Sequence, residues 1–195
     1  MRIAAPLALA IIWLVGFRHD PSPAYEYKRP AYVRLDAATI PKMTDAEVLS
    51  AVHADVANAV GRRWDDELAI VQAMPPGFIA VYAVDGLASA IDEDGFTRTA
   101  PLIARYYPDA AAGLRTMGAF RRAAIVDEAR ALARRLPADG TPVPNDALAG
   151  VWRLNDRWLA STENVATLKV AWIRAHPDLF DPESGATPVP SGSIL

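Results

Sequence analysis

The sequence contains no cysteine. Disulfides, thiolate catalysis and cysteine-held metals are therefore excluded, but no compartment is assigned, since such a chain folds in oxidising and reducing surroundings alike. Histidine is nearly as scarce, with three residues: His19, His53 and His176. None pairs with another at ligand spacing and there is no HExxH, so each reads as structural or solvent-facing, and no metal or cofactor is expected. Serines are few, none lies in GxSxG, and no glycine-rich phosphate loop is present. A dominant charge sign is also missing. A net charge of −3 suits neither a direct nucleic-acid binder, which needs clustered Lys and Arg, nor an acidic solvating tail. Strand alternation, hairpin turns and a βαβ rhythm are absent too. These absences leave an all-α chain.

What is present begins with an uncharged apolar run, Ile3 to Phe17, between Arg2 and Arg18. A short basic start and an apolar core of this length suit a secretory signal, with Ser22-Pro23-Ala24 supplying small residues for cleavage. Residues 3–17 equally suit a membrane tether, although a spanning helix needs roughly 20 apolar residues. Residues 1–24 are thus expected to be a signal peptide or membrane anchor, placing the protein in the cell envelope. A cytoplasmic chain with the run packed into the fold is the alternative. Residues 25–42, rich in Pro, Tyr, Lys and Arg, read as a linker.

A single multi-helix domain is expected over 43–180. Thr44 followed by Glu47 is a capping box, and Val48, Leu49, Val52, Val56 and Val60 recur at helical steps up to Gly61. A short helix follows from Trp64-Asp65-Asp66-Glu67. Pro75-Pro76-Gly77 then opens a central helix carrying Phe78, Val81, Tyr82, Leu87 and Ile91, which is expected to turn at Gly95. Pro101 is expected in the first turn of a separate helix that Pro108 stops. Asp109 caps a short helix to Gly118, and Ala119–Leu136 forms the next one, ended by Pro137. After a Pro/Gly loop, a helix through Leu148, Trp152, Leu154 and Trp158 precedes a last one capped by Thr162. Asp178-Leu179-Phe180 reads as a docking clip and 181–195 as a disordered tail.

Few constellations carry chemistry. Asp92-Glu93-Asp94-Gly95 superficially matches a calcium loop, but that register puts Ala90 at the first ligand and Pro101 at the last, so it fails at both ends. Arg121, Arg122, Arg130, Arg134 and Arg135 read as a solvated helix face, with Asp127 pairing to Arg130. Trp152, Trp158 and Trp172 read as core. Carboxylate pairs assembled by folding leave no motif, so an enzyme using helix-borne carboxylates stays open as an alternative.

Residues 74–180 resemble the DUF4375 family, through PPGFIAVYAVDGLASAI, Gly95-Phe96, the Met117-Gly118-Ala119 step into AFRRAAIVDEARAL, and LNDRWLASTENVATLKVAWIRAHPDLF. That family's Asn-Gly-Gly-Phe turn is represented here by Glu93, Asp94, Gly95 and Phe96, and only the Gly-Phe pair is kept. The resemblance implies a helical, non-enzymatic domain that binds a protein partner of unknown identity, and a family that includes a DNA mimic. A cytoplasmic DNA mimic acting on a DNA-binding protein is therefore a further alternative. The surface to carry either interaction is Asp65, Asp66, Glu67, Asp92, Glu93 and Asp94.

Overall fold

A computed structural model describes residues 35–134 and 145–182, which all belong to one unit of the chain. Among them are seven α-helices and no strand, so the all-α expectation holds. The run at 3–17, the linker up to residue 34, the Pro/Gly loop, Arg135 and all but the first two residues of the tail lie outside the described residues. No described helix is long and apolar enough to cross a membrane.

Helix α1, Asp45–Val60, starts as its sequence dictates. Thr44 Oγ1 accepts the Glu47 N–H, and the Glu47 carboxylate accepts the Thr44 N–H at 2.7 Å, which satisfies two donors the first turn would leave bare. Valines 48, 52, 56 and 60 fall on one face, and all four are buried. Gly61 ends the helix at a positive φ. A 3₁₀ turn at Trp64–Asp66 then leads into α2, Glu67–Gln72.

The central element is α3, Pro76–Tyr106. Pro76 suits a first helical position, where its missing N–H costs nothing. The expected turn at Gly95 is instead a kink inside one long element. Gly95 takes φ 66° and ψ 176°, and the chain resumes helix at Phe96, five residues before Pro101. The sequence hides this because the new helix start is completed from elsewhere. Asn155 Oδ1 accepts the Phe96 N–H at 2.8 Å, and Thr99 Oγ1 donates to the Ala90 carbonyl at 3.0 Å across the kink.

Four further helices wrap α3: α4 (Ala110–Thr116), α5 (Phe120–Ala133), α6 (Asn145–Leu159) and α7 (Val165–Ala175). Val81, Leu87, Phe96 and Ile103 of α3 are fully buried among them. A 3₁₀ turn at Pro177–Phe180 docks on the start of α3, as expected of the clip. The Phe180 ring meets Phe78 edge-on at 5.3 Å and Trp172 at 5.8 Å. Burying such a ring stabilises by about 2–3 kcal/mol, and Gly77 makes room for it.

Other local expectations are revised as well. Asn164, not Thr162, caps α7, accepting the Thr167 N–H. Glu163 caps α5, accepting the Arg121 and Arg122 N–H groups at 2.8 and 2.9 Å. Asp127 pairs with Arg115 of α4 rather than with Arg130, and Glu128 with Arg157 of α6. Arg122 is half-buried, its guanidinium 4.2 Å from the centre of the Trp158 ring, so the arginines do not form one solvated face. Trp158 and Trp172 are core, but Trp152 is exposed, because α6 buries the Val151, Leu154, Trp158 stripe instead.

Candidate functional site

The valine face of α1 does more than fill the core. Val52, Val56 and Val60, with Val81 of α3, form the floor of a groove of about 160 Å³. Tyr82 and Asp85 of α3 wall one side. Glu67, the first residue of α2, and Trp64, on the 3₁₀ turn before it, close the other side. The turn after Gly61 brings the Glu67 carboxylate beside the Tyr82 phenol. Burial first, and then the Glu67 charge and hydrogen bond, push the Tyr82 phenol up to about 12.

Asp85 ties three helices together. Its Oδ2 bonds His53 Nε2 of α1 at 2.7 Å, and its Oδ1 forms an ion pair with the Lys169 ammonium of α7. Lys169 is 5% exposed. It therefore relies on this carboxylate, since a buried unpaired charge is costly. Burial pushes the Asp85 carboxyl up, but the hydrogen bonds from His53 and Lys169 and their charges outweigh it, holding the group below its ordinary range. His53, with an aspartate behind it, resembles the base half of a hydrolase triad. Among the described residues lining the groove there is no serine, threonine or cysteine to act as nucleophile. No described group of three or more His, Asp or Glu is placed to hold a metal ion.

The six carboxylates expected to form one surface fall into two groups. Asp65 and Asp66 are exposed at the mouth of the groove and Glu67 lines it. Asp92, Glu93 and Asp94 are exposed on α3, where Asp92 is ten positions beyond Tyr82, about 15 Å along the helix. Within the second group, Asp94 pairs with Arg98 at 3.1 Å, Glu93 accepts the Ser89 hydroxyl, and Asp92 acts on the Arg122 guanidinium. The His53–Asp85–Lys169 link has no signature in the sequence, since it spans separations of 32 and 84 residues. One signal does exist. Lys169 sits in the buried Trp172–Ile173 stripe of α7, and a lysine there needs a carboxylate partner.

The class these features define is an all-α domain built on a kinked central helix, with an aromatic and acidic groove on one side. The chain belongs to the DMP19-like protein family, whose model matches residues 72–176, from the end of α2 to just past α7. This is a family of helical proteins of the DNA-mimic type. The resemblance to DUF4375 is thereby corrected to a different family. Its most specific motif, the Asn-Gly-Gly-Phe turn, is reduced here to a Gly-Phe pair at a kink, and apolar helical periodicity does not separate one helical family from another. No curated protein and no solved structure matches the chain. The matched span includes the α3 side of the groove but not His53, Trp64 or Glu67.

Proposed function

We propose that this domain works by binding a protein partner, without catalysis, through the surface around Trp64. The observation that carries this reading is Trp64 itself, 65% exposed beside an apolar groove, with Asp65 and Asp66 on the same turn. An indole held in water next to an unfilled apolar floor is the kind of residue that dominates interface energies, and polar neighbours supply the rim. Among the described residues the groove lacks a nucleophile, and its half-buried carboxylate Asp85 is held ionised by its bonds to Lys169 and His53, the wrong state for a general acid. The apolar run at 3–17 supports a setting at the cell envelope.

Family membership favours a second reading, a cytoplasmic DNA mimic that occupies a DNA-binding protein. That role needs a dense array of unpaired carboxylates in place of phosphates. Here Asp45, Asp85, Asp94, Asp127 and Glu128 are each paired with a cation, and Glu163 caps a helix. Charge of both signs is interleaved, which supports the first reading.

A photocrosslinking side chain placed in the full-length chain at 62, beside Trp64, at 93 or at 153 separates these readings in the native cell. Partner binding at the groove predicts one discrete adduct from position 62, lost when Asp65 and Asp66 become Asn. An adduct from position 93 alone moves the binding surface to the other acidic group, and none above background from any position overturns the proposal. Fractionation with intact mass, run alongside, reports whether the chain is processed or membrane-bound.

A further inference from the structure

Resting on that partner-binding reading, we infer that the groove is a receptacle for one lysine or arginine side chain of the partner. Its size sets the first limit, because about 160 Å³ admits a side chain and not a helix. Its floor is four valines, a surface suited to the methylene stem of a long cationic residue. The other walls suit the head. Trp64 and Tyr82 bring two aromatic rings to the groove, and Glu67 brings a carboxylate beside them, the combination that attracts a partly desolvated cation.

The neighbouring cations do not occupy that place. Among the described residues, no lysine or arginine lines the groove. Arg63 is turned back onto the Ala59 carbonyl, which belongs to a side of α1 that does not line it. Lys169 and His53 are both engaged on Asp85, one to each oxygen. Among the residues lining the groove, Glu67 is the carboxylate that neither Lys169 nor His53 engages. Asp65 and Asp66 stand exposed beside it and favour the approach of a basic segment. An acidic side chain entering the groove meets the Glu67 charge with Asp65 and Asp66 beside it, and a purely apolar one leaves the Glu67 charge without a counterion.

The test uses the full-length chain and four small probes, the N-acetyl amides of lysine, arginine, norleucine and glutamate. Norleucine has a similar apolar stem without the charge. Binding is followed by NMR through the Trp64 indole N–H and the Val56 methyls. Cationic probes are expected to shift both signals saturably, with norleucine about tenfold weaker and glutamate without effect. E67Q, which keeps the size and shape of the glutamate without its charge, should remove the advantage of the cationic probes while the remaining spectrum stays native. Equal binding of norleucine and the cationic probes overturns the inference, as does the absence of saturable shifts with all four. A position-62 crosslink that persists undiminished in E67Q also overturns it, yet leaves partner binding intact. Absence of a crosslink from every position when Glu67 is unchanged instead removes the broader reading.

Discussion

The side-chain oxygen of Asn155 accepts the backbone N–H of Phe96 at 2.8 Å, joining α6 to the kink of α3 across 59 positions of sequence. Where Gly95 leaves helical geometry, the N–H groups of the next turn lose their acceptors, and one of them is served from another helix. The same oxygen would lie 3.2 Å from a Cβ placed on Gly95. The glycine and the asparagine therefore act as a pair. Asn155→Ala should cost about 1–2 kcal/mol in urea unfolding, with Asn155→Asp, which keeps an acceptor, costing less. Gly95→Ala should cost about the same or more, because its φ of 66° is strained for any L side chain.

Glu163 plays the matching role for α5. Its two carboxylate oxygens take the second and third N–H groups of that helix, and its charge faces the positive end of the helix dipole. Glu163→Ala is expected to destabilise by roughly 1–2 kcal/mol, with Glu163→Gln intermediate. Hydrogen exchange should locate the loss in the first turn of α5. Equal protection in wild type and variant would show that the contact contributes nothing.

Gly77 is demanded by closeness and not by backbone angle. A Cβ there would lie 2.6 Å from the Phe180 ring and 2.8 Å from the Leu179 carbonyl oxygen. Gly77→Ala should therefore lift the terminal clip off α3, at a cost of about 1–3 kcal/mol. The checking measurement is faster amide exchange at Leu179 and Phe180, with α5 and α6 unaffected.

The Asp85–Lys169 pair gives a pH dependence with a defined sign. The Asp85 carboxyl is lowered in the fold from its ordinary 3.8. The unfolded chain thus takes up a proton first as pH falls, and the stability contributed by Asp85 is complete above about pH 4 and lost below it, through the folded value. Asp85→Asn should flatten this part of the acid-unfolding profile. At neutral pH it should cost roughly 3–5 kcal/mol, because Lys169 is left buried and unpaired. Adding Lys169→Met should restore much of the loss. A double variant no more stable than Asp85→Asn would mean that the lysine escapes to water.

Short-range patterns are legible in the chain itself. The Thr44–Glu47 box, the valines at 48, 52, 56 and 60, Pro76 at a helix start and the short apolar turn at Leu179 and Phe180 depend on residues within a few positions of one another, where i, i+3 and i+4 geometry is set by the helix itself. Trp152 shows the limit of that logic. Two stripes, Leu148–Trp152 and Leu154–Trp158, compete on α6, and the packed face of α5 selects the second. The candidate site is half legible: Asp65, Asp66 and Glu67 stand out by their acidity, but the groove beside them is made by helices that only folding brings together.

Helix content, the starts of α1 and α3 and the all-α class were therefore determined by the sequence alone, because backbone hydrogen bonds and apolar periodicity are satisfied within a turn or two. Tertiary structure decided which polar groups meet. Asn155 at Phe96, Glu163 at Arg121 and Arg122, and Asp85 between His53 and Lys169 join residues 32 to 84 positions apart. Such pairs form only once packed helices bring them together, since the free energy of a buried polar group depends on its neighbours in space and not on those in the chain.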